Sequence, residues 1–405
     1  MGATNKTIFT ICSVNYLDKA ITLCNSVKEN NPEIITNIFI VDTKRSISIN
    51  INGINIIWIE DINFPNLKEC AFKYNIIEFN TAVKPYCALY LLNFYEYIIY
   101  LDPDIYVVNP LDNIFEDLQK YSIVLSPHSL SPYNGIGRPC DIDLLRFGSY
   151  NLGFFAVRKN SDALKFLSWW NDVCSMNCFY EPQIGLGVDQ KWIDLAPSFF
   201  NGVLTCKNFG INVAFWNLHE RQLAKVNGKW FVNEVYPLIF IHFSSFDALN
   251  INVIADKQTR YPDGSRQDFI SIASEYSEKL LSSKYLTGAS SSEYGYSHFS
   301  NGISISPALR RFYALKINDF KDVVNPFQSN SEVYKFAKKN SLLITGIPIV
   351  SHSNFKVQDN YKFAQRFLRF MFRMALMILG PIRYFNLMRY LSHYSSILNQ
   401  KDLLD

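Results

Sequence analysis

The chain has 405 residues, with 39 Lys and Arg against 36 Asp and Glu, so a formal charge of +3 gives no basis for nucleic-acid binding over the molecule as a whole. Hydrophobic residues at 48% and aromatic residues at 15% exclude a disordered chain. The length exceeds one typical core and predicts a large domain over 1–260 with a smaller, mainly helical region over 261–405.

In chain order, Ile8–Val14 reads as a first strand, Leu17–Asn30 as a helix, Ile38–Asp42 as a second strand and Ile54–Ile59 as a third. A helix over Thr81–Phe94, with Val83, Tyr86, Cys87, Tyr90 and Leu91 on one face, leads into the apolar run Tyr97–Leu101. That run has no polar alternation and predicts a central strand covered on both faces. The β-α order implies a Rossmann-like sheet with a nucleotide at the C-terminal strand ends. No Gly-x-Gly-x-x-Gly or Walker loop follows the first strand, so phosphate charge has to be met by a metal and by cationic side chains.

Asp102-Pro103-Asp104 ends the central run. Pro103 cannot donate to a strand ladder, so the chain leaves the sheet there, with the two carboxylates on one side at period two. Oxygen ligands of this kind suit Mn²⁺ or Mg²⁺. An isolated Asp-X-Asp is most often a solvated turn, so its context decides the reading.

Residues 125–150 hold Pro127, Pro132, Gly135, Gly137, Pro139 and Gly148 and predict a mobile loop over a site. Ser149–Val157 reads as a strand, Asp162–Cys174 as a helix, and Phe240–Asp247 begins as another apolar run. Ser282–Ser306 reads as a linker or an ordered loop. The eight cysteines form no compact framework, and Cys174-x₃-Cys178 lacks a second pair or neighbouring His for zinc, so buried, reduced thiols are expected. No signal-peptide pattern opens the sequence, which predicts a cytoplasmic protein.

Residues 355–390 carry Lys356, Lys362, Arg366, Arg369, Arg373, Arg383 and Arg389 against Asp359 alone. Over Phe363–Leu379 the arginines share a stripe amid Phe367, Phe370, Met371, Met374 and Leu376. Three arginines make this a poor membrane span. The pattern is that of a helix lying on a membrane surface, or of a core helix with a basic face, ended by Gly380-Pro381.

Four motifs in order, Asp102-Pro103-Asp104, Asn151-Leu-Gly153-Phe, Val188-Asp189-Gln190 and His242 after an apolar strand, resemble the retaining family 8 glycosyltransferases of the GT-A fold. The resemblance covers roughly residues 8–260. It implies a mixed, Rossmann-like α/β sheet flanked by helices, and a UDP-sugar donor whose diphosphate is bridged by Mn²⁺ or Mg²⁺ on Asp102, Asp104 and His242. As a neutral imidazole ligand, His242 makes metal affinity fall below about pH 6.5. Asn151 and Gly153 would lie beside the donor sugar. Gln190 would stabilise charge at the anomeric carbon, and Asp189 would hold sugar hydroxyls or serve as nucleophile or base. Lys84 is the expected diphosphate partner on the helix before the central strand. That family follows its histidine with Gly and Lys-Pro-Trp, whereas this chain has Phe-Ser-Ser-Phe-Asp; Lys257 or Arg260 is the expected substitute cation.

The nucleotide base is then expected near Thr10, Cys12, Val14, Asn15 and Tyr16, with Asp42 on base or ribose. Trp192, Phe215, Trp216 and Asn217 form a candidate acceptor wall, or are simply core. The implied activity is hexosyl transfer to a glycan or lipid-linked glycan in bacterial surface polysaccharide assembly, with the basic tail on the inner membrane face. Two rivals are a sugar-nucleotidyltransferase, which needs a glycine-rich basic loop that Ile11–Tyr16 is not, and a non-catalytic carbohydrate- or nucleotide-binding protein.

Overall fold

The computed structural model describes residues 5–46, 53–287, 289–344 and 362–404. The chain divides into two compact units, Met1–Tyr296 and Ser297–Asp405.

In chain order the strands of the first unit are β1 (Lys6–Cys12), β2 (Ile35–Ile40), β3 (Ile54–Trp58), β4 (Tyr97–Leu101), β5 (Ile105–Val107), β6 (Ile123–Pro127), β7 (Tyr150–Arg158), β8 (Tyr180–Glu181), β9 (Leu186–Gly187), β10 (Val203–Thr205), β11 (Leu223–Val226), β12 (Lys229–Val232), β13 (Tyr236–Pro237) and β14 (Phe240–His242). Seven form the main sheet in the order β10-β6-β7-β4-β1-β2-β3, with β4 in the middle as its apolar sequence requires. The sheet is mixed rather than purely parallel: β7 runs antiparallel to both β4 and β6, while β4-β1-β2-β3 is parallel throughout. Its core is closed by Phe9, Phe39, Tyr100, Phe155 and Trp170, all nearly or wholly buried.

The helix Leu17–Asn30 spans the predicted residues, and its buried positions Leu17, Ala20, Ile21, Leu23, Cys24 and Val27 recur at helical spacing. The helix expected over Thr81–Phe94 is instead two. Ile76–Ala82 starts at a capping box between Asn75 and Glu78, and a second helix, Lys84–Leu91, begins with Pro85 in its first turn. Proline has no N–H for the preceding turn but suits a helix start, so the axis is reset at Val83.

The first unit extends to Tyr296 rather than stopping at 260, and the segment read as a linker from Ser282 is helical through Thr287. The helix Gln267–Thr287 places Phe269, Ile272, Ala273, Tyr276 and Leu280 in a core with Phe243 and Phe246. Phe243 and Tyr276 stack with ring centroids 4.2 Å apart. This apolar face is why the helix belongs to the sheet unit.

In the second unit, helices Pro307–Leu315 and Glu332–Lys339 are capped by Ser306 and Ser331. Phe299, Leu309, Phe312, Tyr313, Val333 and Ala337 are buried. A long helical element, Lys362–Tyr394, breaks at Gly380 (φ 71°) and resumes with Pro381, so the Gly-Pro pair kinks it without ending it. Its apolar side chains are largely exposed, Phe363 at 82%, Ile378 at 75% and Ile382 at 76%, which overturns the core-helix alternative. Lys356 and Asp359 lie outside the described residues. Among the described residues no helix is long and apolar enough to cross a membrane.

Candidate functional site

The site is assembled at the C-terminal end of β4 by strand pairing. Asp102 follows β4 and its backbone N–H donates to the Gly153 carbonyl of β7 (2.8 Å). After the Pro103 turn, β5 pairs antiparallel with β14, setting Ile105 opposite His242, and the Phe243 N–H donates to the Asp104 carbonyl (2.8 Å). Two carboxylates one residue apart and a histidine far along the chain are thereby brought together. Ligand atoms of Asp102, Asp104 and His242 all lie within 4.8 Å of one another, and this is the described set of three or more such residues able to hold a metal. His242 Nε2 is 3.0 Å from Asp104 Oδ1 and 3.7 Å from Asp102 Oδ2. Two carboxylate oxygens and one imidazole nitrogen form a ligand set suited to a divalent cation. Burial works to raise the Asp104 pKa, but the His242 and Lys19 charges win and hold it well below the usual carboxylate range.

Gly153 is indispensable to this packing. A Cβ there would lie 2.3 Å from His242 Cε1 and 2.6 Å from its Nδ1, so only glycine lets the imidazole cross β7. Asn151, two residues earlier, accepts from the Gly153 N–H (3.1 Å) and contacts Gln190 and His128 at 3.4 Å. Gln190 accepts from the Leu152 N–H (3.2 Å) and donates to the Phe147 carbonyl (2.9 Å), tying β7 to the end of the helix Asp141–Phe147.

Lys84 is not a surface lysine. It is buried, and its ammonium donates to the Leu152 carbonyl (2.9 Å) and pairs with Asp189 (3.1 Å) and Asp102 (3.4 Å). The Leu152 carbonyl takes a hydrogen bond, whereas the two carboxylates act as opposite charges, and the buried Asp189 Oδ2 has no hydrogen-bond donor. Burial disfavours its charge, but Asp102 and Asp189 outweigh that and raise its pKa. Asp189 is pushed up to about 6 by burial, with Lys84 pulling the other way. Val188, just before it, has φ 50°, strained for a β-branched residue and a sign that the Asp189 position is imposed by the fold. Tyr100 donates to Asp102 Oδ1 (2.5 Å), and burial followed by the Asp102 charge raises its pKa well above the ordinary range.

Beside this cluster a cavity of about 400 Å³ is lined by Tyr16, Lys19, Asp104, Ser244, Asp256 and Lys257, among others. Lys257 therefore reaches the same space as Asp104, and Lys19, missed in the sequence, joins it one turn after Tyr16, over whose ring it lies at 4.6 Å. Arg260 instead donates to the carbonyls of Asn134 and Pro139 and packs over Tyr133, clamping the 125–150 loop. Asp42 is buried and already accepts from Val14 N, Thr43 N, Arg45 Nη2 and Gly295 N, so it staples loops rather than presenting a free carboxylate to base or ribose. Thr10 and Cys12 are buried on β1, the Asn15 side chain accepts from Ser13, and Tyr16 is half exposed. Trp216 is buried with its ring 5.1 Å from that of His242, and Asn217 is a buried turn cap holding Ala214 N. The Trp192 indole N–H donates to the Asn177 carbonyl.

No protein-family model matches the chain. Among curated proteins it is 27% identical over 159 residues to uncharacterized protein YfnF of Bacillus subtilis strain 168, covering 39% of this chain and 52% of YfnF. It is 23% identical over 250 residues to uncharacterized protein YfnD of the same strain, covering 58% of this chain and 76% of YfnD. The chain thus spans about half the length of the first relative and about three quarters of the second. Several glycosyltransferases are among the solved structures it is similar to. They include galactosyltransferase LgtC in complex with donor and acceptor sugar analogs (16% identity, TM-score 0.40, 68% of this chain and 95% of that one). Glycosyltransferase GlyE of Streptococcus pneumoniae TIGR4 is another (14%, TM-score 0.39, 73% and 67%). A third is a glycosyltransferase involved in glycosylation of the major capsid of PBCV-1 (13%, TM-score 0.35, 68% and 98%). At these scores the functional reading rests on the geometry of the site itself.

Gly153→Ala is expected to displace the His242 ring and lower Mn²⁺ affinity by about tenfold or more while the protein stays folded; titration with Mn²⁺ measures this. Asp189 gives a pH test. Its folded pKa of about 6 lies above the ordinary carboxylate value, so the native state holds the extra proton between about pH 4 and 6. Wild-type stability relative to Asp189→Asn should therefore fall as pH rises through that window, by on the order of 2 kcal/mol, and level off above it. Denaturant unfolding of both proteins at several pH values reads the difference, and parallel curves would contradict the assignment.

Proposed function

We propose that the chain is a metal-dependent GT-A type glycosyltransferase that moves a hexose-type sugar from a UDP-sugar to a glycan or lipid-linked glycan, with retention at the anomeric carbon. The observation that carries this is the Asp102–Asp104–His242 cluster at the end of the central strand, opening beside a cavity and joined through Lys84 to Asp189. A divalent ion held by those three residues would neutralise charge developing on a departing nucleoside diphosphate. Lys257 and Lys19 line the adjoining cavity and are the cations on this chain best located to meet diphosphate oxygens. Tyr16 offers an exposed ring at the same opening, suited to stacking on a nucleobase.

Lys84 keeps Asp189 and Asp102 apart in role. It neutralises the buried Asp189 while leaving the Asp102 Oδ2 atom toward His242. Asp189 accordingly suits holding donor hydroxyls better than attacking as a nucleophile, since its Oδ2 is engaged by an ammonium. Gln190 ties Asn151 and Leu152 beside it, and this segment would border the sugar.

The element Lys362–Tyr394 supports a membrane-surface acceptor. It contains no Asp or Glu, carries Arg366, Arg369, Arg373, Arg383 and Arg389, and exposes Phe363, Phe367, Phe370 and Met371. Exposed apolar rings beside arginines match an anionic lipid interface.

UDP release measured across a panel of UDP-sugars, with and without Mn²⁺, is expected to show metal-dependent turnover of one donor, falling at least about 10³-fold in Asp102→Ala/Asp104→Ala. Absence of turnover with every donor, together with no Mn²⁺-dependent UDP binding, would refute the enzyme reading in favour of a binding protein. Charge reversal by Arg366→Glu/Arg369→Glu/Arg373→Glu is expected to weaken sedimentation with anionic liposomes by about tenfold or more, each lost charge costing about 1 kcal/mol near the surface. Equal partitioning of both proteins would remove the membrane from the proposal.

A further inference from the structure

His242 is fixed from behind by a chain of amides that no sequence motif singles out. Its Nδ1 lies 3.3 Å from Asn212 Oδ1, while its Nε2 faces the two aspartates. Asn212 is fully buried, and its φ of 56° is one that asparagine tolerates better than most residues. Its carbonyl accepts from Asn217 Nδ2 (3.0 Å), holding the turn from which the side chain projects.

The direction of every bond in this chain follows from one backbone amide. The Gly153 N–H can only donate, so the Asn151 atom that receives it at 3.1 Å is oxygen. The same oxygen meets the Asn212 side chain at 3.1 Å, so the Asn212 atom there is its NH₂ group. The other end of that amide, facing His242, is then the carbonyl oxygen, which can only accept. Asp104 is an acceptor as well, 3.0 Å from Nε2, so with a cation between Nε2 and the carboxylates His242 keeps its one proton on Nδ1, toward Asn212, and turns the Nε2 lone pair to the cation.

We infer that Asn212 is a positioning residue, which locks His242 in the Nδ1–H tautomer and aims Nε2 at the cation held by the two carboxylates. The inference deepens the metal-site reading and rests on it. Asn151 is the next link, and since it also contacts Gln190 it connects His242 to the Asp189-Gln190 segment through two side-chain amides.

The test uses the full chain, titrated with Mn²⁺, and ¹⁵N-labelled histidine recorded with saturating Mg²⁺, a diamagnetic cation. Metal-loaded wild type should show His242 protonated on Nδ1. In Asn212→Gly, where glycine keeps the positive φ and removes the acceptor, Mn²⁺ affinity should fall by about 10- to 100-fold. Asn212→Asp keeps an acceptor toward Nδ1 but loses the NH₂ group that meets Asn151, so it should bind Mn²⁺ more tightly than Asn212→Gly. A metal-loaded wild type protonated on Nε2, or unchanged Mn²⁺ affinity in a folded Asn212→Gly, would overturn the positioning role and leave the metal site standing. No Mn²⁺ binding to wild type would overturn the metal reading itself, so the two failures are distinguishable.

Discussion

The pairing of β14 with β5 is the constraint on which the site depends. Opposing His242 to Ile105 sets the imidazole one residue from Asp104 across a two-stranded ladder, and backbone hydrogen bonds fix that register. The second half of the constraint is the bare backbone of Gly153 on β7, since any side chain there would occupy the space of the imidazole. Because β7 is antiparallel to β4, its Gly153 carbonyl receives the Asp102 N–H, so one glycine both seats the histidine and ties down the first aspartate.

Charge balance governs what surrounds this junction. Asp102, Asp104 and Asp189 converge where solvent access is low, and Lys84 is the single ammonium between two of them. Removing it would leave a buried carboxylate uncompensated, a loss of about 3–5 kcal/mol in comparable buried pairs. The elevated Asp189 pKa and the left-handed Val188 show that these residues are held in positions the isolated chain would avoid. Such conflict between local preference and tertiary placement is expected where a site is arranged for a ligand rather than for stability.

Much of the frame could be read directly. The unbroken apolar run Tyr97–Leu101 announced the central strand, and the spacing of Leu17 through Val27 announced the helix beside it. The Asp-Pro-Asp turn and distant His242 were assigned to one cluster by their resemblance to a family's motifs, since nothing local to His242 marks it as a ligand. Other features were illegible for definable reasons. The direction of β7 depends on a connection through a long loop, and the continuation of Gln267–Thr287 through a serine-rich stretch depends on Phe243 and Phe246 waiting to receive Tyr276. Lys84 read as a surface or diphosphate-facing lysine because its two carboxylate partners are remote in sequence, and Asp42 read as a ligand because its partner Gly295 is more distant still.

The sequence by itself determined the central strand and the first helix, where the carboxylates would leave the sheet, and that the last helix would be basic and apolar together. These follow from periodicity and from the absence of N–H on proline, both local properties of the chain. Only the tertiary structure decided which way each polar side chain faces: Asn212 toward His242, Lys84 toward Asp189, Arg260 onto the 125–150 loop and Lys257 into the cavity. A hydrogen bond or ion pair between residues far apart in sequence exists only once strand pairing has brought its partners within about 3 Å. No local preference encodes that distance.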